Sequence, residues 1–275
     1  DDVLVANQIV TPSKIERLVS LAKQAHVVMI FDAPEPLDLV SGAAARLHAS
    51  LGGLVDIDVS LGRCGTKTVE EALALSHAIA SAPGINFLGI MGYEGRFRAA
   101  LPDRSQRIEA AFERLVDVKD AVESSGLRVE IVTSSGTSTM REAVRHPDIT
   151  DIQAGTYVLM EPDLEDLGLP FRCALSVLTT VISRSGSRTV VDAGRRAIGC
   201  DYGPPVPLDP AATTVKVTDD HTILDWEGDP PPLGSKVEMR PSQNRTTFML
   251  NRRAWLVRSD GSTEFHSAFA ADASP

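Results

Sequence analysis

The stretch that decides the fold is Val129-Glu130-Ile131-Val132-Thr133-Ser134-Ser135-Gly136-Thr137-Ser138-Thr139-Met140-Arg141-Glu142-Ala143-Val144-Arg145. Val129 to Thr133 is a β-branched run of strand type, residues 134–139 are small and polar, and a helical segment is expected from about Thr139 to Arg145. The same unit recurs upstream. Val3 to Ala6 precedes a helix opened by Thr11-Pro12, with Ile15, Leu18, Val19 and Ala22 at helical spacing. Val27 to Phe31 precedes an Ala- and Leu-rich segment from about Pro36 to Ser50, Leu54 to Val59 precedes Val69 to Ala82, and Asn86 to Met91 precedes Arg104 to Ser124. Asp151 to Gln153 closes the series. Strands alternating with helices are the pattern of parallel βα units, closed as a barrel or laid out as a doubly wound sheet. The chemically distinctive residues Arg63, Tyr93, Ser134 to Thr137 and Gly155 to Tyr157 follow several different strands. A barrel gathers its site that way, whereas an open sheet concentrates ligands at one switch point, so the barrel is favoured.

Beyond about residue 173 the pattern changes to β-branched runs, Val177 to Ser183, Arg188 to Asp192, Thr213 to Val217, Thr222 to Asp225, Lys236 to Met239 and Ala254 to Arg258. Turn signals separate them, among them Ser185-Gly186-Ser187 and Asp229-Pro230-Pro231-Pro232. The expected fold class is therefore α/β, an incomplete (β/α) barrel over residues 1–172 followed by an all-β domain over residues 173–275. The tail from Ala270 is expected to fray. Asp1-Asp2 run straight into an apolar strand without an initiator Met, which reads as a chain cut inside a barrel. At about 30 residues per unit, six strands imply about two units upstream.

The 275 residues include 37 acidic and 27 basic ones, for a net charge of -10, which argues against a nucleic-acid partner or an anionic membrane. No apolar run approaches the ~20 residues of a membrane span and no secretory signal opens the chain, so a cytoplasmic location is expected. Cys64, Cys173 and Cys200 lie far apart and match neither a disulfide framework nor a close-spaced zinc pattern.

Four motifs carry candidate chemistry. In Leu61-Gly62-Arg63-Cys64-Gly65, an Arg between two glycines at a barrel mouth suits a phenolate or carboxylate oxygen, and equally an ordinary turn with a solvated Arg. In Gly92-Tyr93-Glu94-Gly95, an aromatic ring at a strand end suits packing on a planar ligand, although such a tyrosine is more often structural. Ser134 to Thr139 is the more specific signal, because small residues let backbone amides approach an anion, hydroxyls add donors, and the following helix start adds positive potential. Gly155-Thr156-Tyr157 offers neighbouring amides for the same anion. Asp192-Ala193-Gly194, Asp201-Tyr202-Gly203 and Asp219-Asp220-His221 read as turns and surface structure, and the remaining histidines have no partners at ligand spacing.

Taken in order, Asp2-Val3-Leu4-Val5-Ala6-Asn7, Val55-Asp56-Ile57-Asp58 with Gly62-Arg63-Cys64-Gly65, Gly92-Tyr93-Glu94-Gly95, Ser135-Gly136-Thr137, Gln153-Ala154-Gly155-Thr156-Tyr157, Asp192-Ala193-Gly194 and Asp220-His221 resemble the D-threonine aldolase and D-serine dehydratase family. The resemblance covers nearly the whole chain. It implies an alanine-racemase-like barrel followed by a β domain, with pyridoxal 5'-phosphate as cofactor and a small D-amino acid as substrate. It further implies that Arg63 contacts the cofactor phenolate or the substrate carboxylate, that Tyr93 and Gln153 lie close to the pyridine ring, and that Ser135, Gly136, Thr137, Gly155, Thr156 and Tyr157 hold the phosphate. A homodimer is implied for the full-length protein.

The chain departs from that family in two places. The family's Schiff-base lysine lies in a Pro-His-x-Lys-Thr-like segment of the first barrel strand, and none of the six lysines here stands in such a context. Lys67, the one lysine near a strand end, reads as the start of a helix. Members acting on β-hydroxy amino acids carry a His-x-Asp or His-x-Cys metal pair after a Pro in the C-terminal domain. Here Pro241-Ser242-Gln243-Asn244-Arg245 puts Gln243 and Arg245 at those positions. Arg cannot deprotonate to become a ligand, so no metal is expected, and Arg245 is expected to take over the ion's positive charge. The expected activity, for the full-length protein, is that of a metal-independent lyase cleaving or dehydrating β-hydroxy D-amino acids, with a racemase or a non-catalytic cofactor-binding relative as the alternatives; without the Schiff-base lysine this chain by itself is expected to be inactive.

Overall fold

Pro12 follows the extended Thr11 and opens the first helix, whose residues Ile15, Leu18 and Val19 turn inward at helical spacing. This local logic repeats along the first half of a computed structural model that describes residues 2–267. The elements are β1 (Asp2–Val5), α1 (Pro12–Leu21), β2 (His26–Phe31), α2 (Pro34–Leu47), β3 (Leu51–Asp56), α3 (Val69–Ser81), β4 (Ile85–Gly92), α4 (Arg104–Ser124), β5 (Ile131–Ser134), α5 (Met140–Ala143) and β6 (Asp151–Ile152). All five strand pairings are parallel, and the spatial order β1-β2-β3-β4-β5-β6 repeats the chain order without a reversal. A doubly wound sheet reverses its order at a switch point, and consecutive staves of a barrel do not.

Alternation along β2 shows how both faces of this sheet are covered. Val27, Met29 and Phe31 join the large core shared with the helices, while Val28 and Ile30 pack with Leu54 and Met91 on the other face. Each such buried side chain contributes roughly 1.5–3 kcal/mol. Helix α3 is held at its start by a reciprocal cap, in which the Glu71 amide donates to Thr68 Oγ1 at 3.1 Å and the Thr68 amide donates to the Glu71 carboxylate at 3.2 Å. Where β4 meets β5, Gly89 has φ +147, and a Cβ there would lie 2.0 Å from the Ile131 carbonyl oxygen. The strand pairing therefore requires a glycine at this point.

Several boundaries differ from the sequence reading; the second helix, for one, is Pro34–Leu47 and not Pro36 to Ser50. The third strand is Leu51–Asp56 and not Leu54 to Val59. Gly52 and Gly53 lie tight against Val28, Leu88, Ile79 and Ile85, so the glycine pair is packed strand, whereas Asp58 leaves the strand to accept the Ser60 and Gly62 amides. The helix after β5 is only Met140–Ala143.

The chain divides into two units between Gly155 and Thr156. The second begins with short 3-10 turns at Thr156–Val158 and Pro162–Leu167. It continues with β7 (Val177–Ser185), β8 (Arg188–Val191), β9 (Val206–Pro207), β10 (Ala212–Val217), β11 (Thr222–Trp226), β12 (Lys236–Arg240), α6 (Asn244–Leu250), β13 (Arg253–Val257) and β14 (Thr263–Ser267). Six strands form an antiparallel sheet ordered β10-β11-β8-β7-β12-β9, with a core of Val181, Val191, Leu224, Val237 and Met239, and β13 pairs with β14 in a separate hairpin. The domain is thus mostly β and not all-β. Helix α6 escaped the sequence reading because seven residues with Thr246 and Thr247 at their centre show no helical apolar period; the Thr247 hydroxyl donates to the Gln243 carbonyl instead. The tail from Ala270 lies outside the described residues. Among the described residues no helix is long and apolar enough to cross a membrane.

Candidate functional site

The loop after β3 is organised by Asp58. Its carboxylate accepts the Ser60 amide at 3.2 Å and the Gly62 amide at 2.9 Å, and pairs with Lys67 Nζ at 2.5 Å. Burial alone would raise this carboxyl, but the bonds from Lys67, Gly62 and Ser60 outweigh it and hold the group below its ordinary value. Arg114 donates from Nε to the Asp58 carbonyl at 2.9 Å and from its far nitrogen to the Lys67 carbonyl, and the Gly65 amide donates to Asp32 at 3.1 Å. Lys67 itself precedes the Thr68 cap of α3. The pinned loop carries Arg63 with its guanidinium carbon 5.8 Å from the centre of the Tyr93 ring, a cation over an aromatic face.

Tyr93 directly follows β4 and also meets the loop after β5. A Cβ on Gly136 would lie 3.1 Å from Tyr93 Cε2 and 3.2 Å from its hydroxyl oxygen, so the ring rests against the Gly136 backbone. The preceding residue, Ser135, is fully buried and adopts the left-handed conformation, φ +68. The Gln153 amide donates to the carbonyls of Ser134 at 3.1 Å and Ser135 at 3.0 Å, and its side chain reaches Thr133 Oγ1 at 3.2 Å. Gly155 is exposed, and a Cβ there would meet nothing within 4 Å. Arg63, Tyr93, Ser135, Gly136, Thr137 and Gln153 are thus brought to the C-terminal ends of neighbouring strands. Thr156 and Tyr157 fall in the second unit, where the Tyr157 ring lies 5.1 Å from Phe171.

Two buried acids were not singled out by sequence. Glu94, 1% exposed, accepts the Ser134 hydroxyl and the Ser135 amide, each at 3.3 Å, and the Thr139 hydroxyl. Burial pushes its carboxyl up against the opposing pull of those donors. Asp56, 4% exposed at the end of β3, accepts Gln8 Nε2 at 2.6 Å. Burial is the main cause that pushes it up to about 6, with the Gln8 bond and Arg63 acting downward and Asp32 and Asp58 upward. Both acids were quoted in motifs, yet their partners lie 40 or more residues away in sequence, which no local pattern reveals.

The family described as alanine racemase, N-terminal domain, matches residues 2–161, and a putative serine dehydratase domain matches residues 174–257. The 3-hydroxy-D-aspartate aldolase of Paracoccus denitrificans (strain Pd 1222) is 31% identical over 93% of this chain and 69% of its own length. The chain belongs to the D-threonine aldolase and D-serine dehydratase family. Another relative is the D-threonine aldolase of an Arthrobacter species, 30% identical over 96% of this chain and 72% of that protein. The solved D-threonine aldolase from Filomicrobium marinum superposes with a TM-score of 0.90 at 29% identity, covering 97% of this chain and 76% of that one.

The fold and the family imply pyridoxal 5'-phosphate, and the residues present fit its ring and its phosphate, while none of the six lysines stands in the context of the family's Schiff-base lysine. A guanidinium, a half-buried aromatic ring and a loop of small residues converge at one end of the sheet, which is the donor set a phosphorylated planar ligand needs. A divalent metal at the position where this family carries a His-x-Asp or His-x-Cys pair does not fit. Gln243 is buried with its amide oxygen bonded by the Thr246 hydroxyl, and Arg245 is an exposed cation on α6. Among the described residues no three His, Cys, Asp or Glu side chains are grouped to hold an ion.

Proposed function

We propose that this protein is a pyridoxal-phosphate-dependent lyase for β-hydroxy D-amino acids, working by retro-aldol cleavage or dehydration and without a divalent metal. The observation that carries the reading is the continuous contact from Arg63 to Tyr93 to Gly136, which joins the ends of β3, β4 and β5. The relatives are named for D-threonine and 3-hydroxy-D-aspartate, both of which carry a β-hydroxyl. When bound, the cofactor supplies the electron sink for cleavage next to the amino-bearing carbon.

The chain's own residues do the binding and orienting. Small residues of the 135–137 loop, with Gly155, hold the phosphate; the Tyr93 ring packs on the cofactor plane with Gln153 nearby. Arg63 keeps an anionic oxygen in place through a charge-assisted hydrogen bond. Arg245 supplies positive charge to a polar or acidic substrate group, the task an ion performs in metal-bearing members. The test is titration of the full-length protein with pyridoxal phosphate, followed by assays on D-threonine, D-serine and D-3-hydroxyaspartate with a chelator present. An absorbance change on titration and chelator-resistant formation of glycine with an aldehyde, or of a 2-oxo acid with ammonia, are expected. No spectral response to pyridoxal phosphate would overturn the cofactor reading, binding without turnover the lyase reading, and loss of activity to the chelator the metal-free reading.

A further inference from the structure

The left-handed backbone of Ser135 is what turns the chain so that Gly136 meets the Tyr93 ring. A non-glycine residue holds that conformation only when its surroundings over-determine it. Here both donors of Ser135 are clamped. Its amide donates to Glu94 Oε2 at 3.3 Å, and its hydroxyl lies 2.7 Å from Thr139 Oγ1, which in turn donates to Glu94 Oε1 and accepts the Gly136 amide at 3.3 Å. A third donor, Ser134 Oγ, reaches the same carboxylate at 3.3 Å. The carboxylate is 1% exposed, so water does not compete for these donors.

We propose that Glu94 is the positioning residue of the phosphate-binding loop, an internal carboxylate that locks Ser135 and Thr139 so that residues 136 and 137 are presented in one fixed arrangement. This rests on the cofactor reading above. It reassigns part of the loop's polarity, because the Ser135 amide and the Thr139 hydroxyl serve the chain's own carboxylate and set the loop's shape. An amide at position 94 can still serve. The glutamine oxygen accepts the Ser135 amide, and its nitrogen donates to the Thr139 hydroxyl, which can accept as well as donate. Alanine leaves a buried amide and two hydroxyls without this partner.

The test compares pyridoxal 5'-phosphate with pyridoxal, which lacks only the phosphate, by absorbance and fluorescence titration of the wild type, Glu94→Gln, Glu94→Ala and Thr139→Val. Glu94→Ala is expected to weaken pyridoxal phosphate by about tenfold or more while pyridoxal binding stays within about twofold, because only the phosphate depends on the loop. Glu94→Gln is expected to stay within about threefold of wild type for both ligands, and Thr139→Val to lose phosphate-dependent affinity as Glu94→Ala does. Unchanged pyridoxal phosphate affinity in Glu94→Ala, or an equal loss for both ligands, overturns the proposal. Should Glu94→Ala fail to fold, Thr139→Val decides by the same comparison. A wild type that binds neither ligand removes the cofactor reading itself, and this inference with it.

Discussion

Replacing Asp56 with Asn should remove the pH dependence that this one carboxyl imposes on the first unit. Asp56 is 4% exposed, and its pKa is pushed from an ordinary 3.8 up to about 6, chiefly by burial. A group whose folded pKa lies above its unfolded value binds its proton more tightly when folded. Its contribution to stability is therefore fully present below pH 3.8 and is lost as pH rises through about 6. At pH 5 the folded carboxyl is mostly protonated and the unfolded one mostly ionised, which stabilises the fold by about 1.4 kcal/mol; at pH 8 nothing of this remains. Asn is neutral throughout and keeps an oxygen to accept the Gln8 amide. Urea unfolding of both proteins should be followed by helical circular dichroism, which reports the first unit because α1 to α4 carry most of the helical residues. From pH 5 to pH 8 the stability difference should move toward the variant by about 1.4 kcal/mol, or about 0.5–1.4 M in relative urea midpoint. A difference that does not change with pH, or that moves toward the wild type, would refute the reasoning.

Three further outcomes are expected. Gly136→Ala places a methyl 3.1 Å from the Tyr93 ring, and should weaken pyridoxal phosphate binding by about tenfold with a stability loss under about 1.5 kcal/mol, measured by titration and thermal unfolding. Gly89→Ala forces a Cβ to 2.0 Å from the Ile131 carbonyl oxygen at positive φ, and should cost more than about 3 kcal/mol in thermal or urea unfolding. Arg245→Ala should raise KM for an acidic β-hydroxy D-amino acid by about tenfold while leaving thermal unfolding unchanged, since the side chain is exposed; an unchanged KM would remove Arg245 from substrate binding.

Much of the fold was legible because its signals are local. Helix α4 has both ends where the sequence puts them, Arg104 and Ser124, since 21 residues are long enough for the apolar spacing of Ile108, Ala111, Phe112, Leu115, Val118 and Val122 to declare itself. The alternation of βα units likewise foretold a parallel sheet whose order repeats the chain order. Short elements were less legible. Helix α6 and strands β9 and β14 span few residues, and the strand signal at Val55 to Val59 overran its true end because Asp58 alternates like a strand residue while it caps a turn. Among the residues gathered at the strand ends, Arg63, Tyr93 and the 135–137 loop could be picked out because an Arg, an aromatic and a run of small polar residues stand directly after strands.

By itself the sequence determined the class of fold, its family, and the chemical types gathered at the strand ends, since these follow from apolar periodicity, turn residues and ordered motifs. It could not show that the Arg63 cation lies over the Tyr93 ring, that the ring rests on Gly136, or that Glu94 and Asp56 are buried acids with different tasks. Those facts depend on residues from different strands meeting. Burial, which shifts an acid's pKa, and a clamp between side chains 40 positions apart are properties of the space the folded chain encloses, and only the tertiary structure decides them.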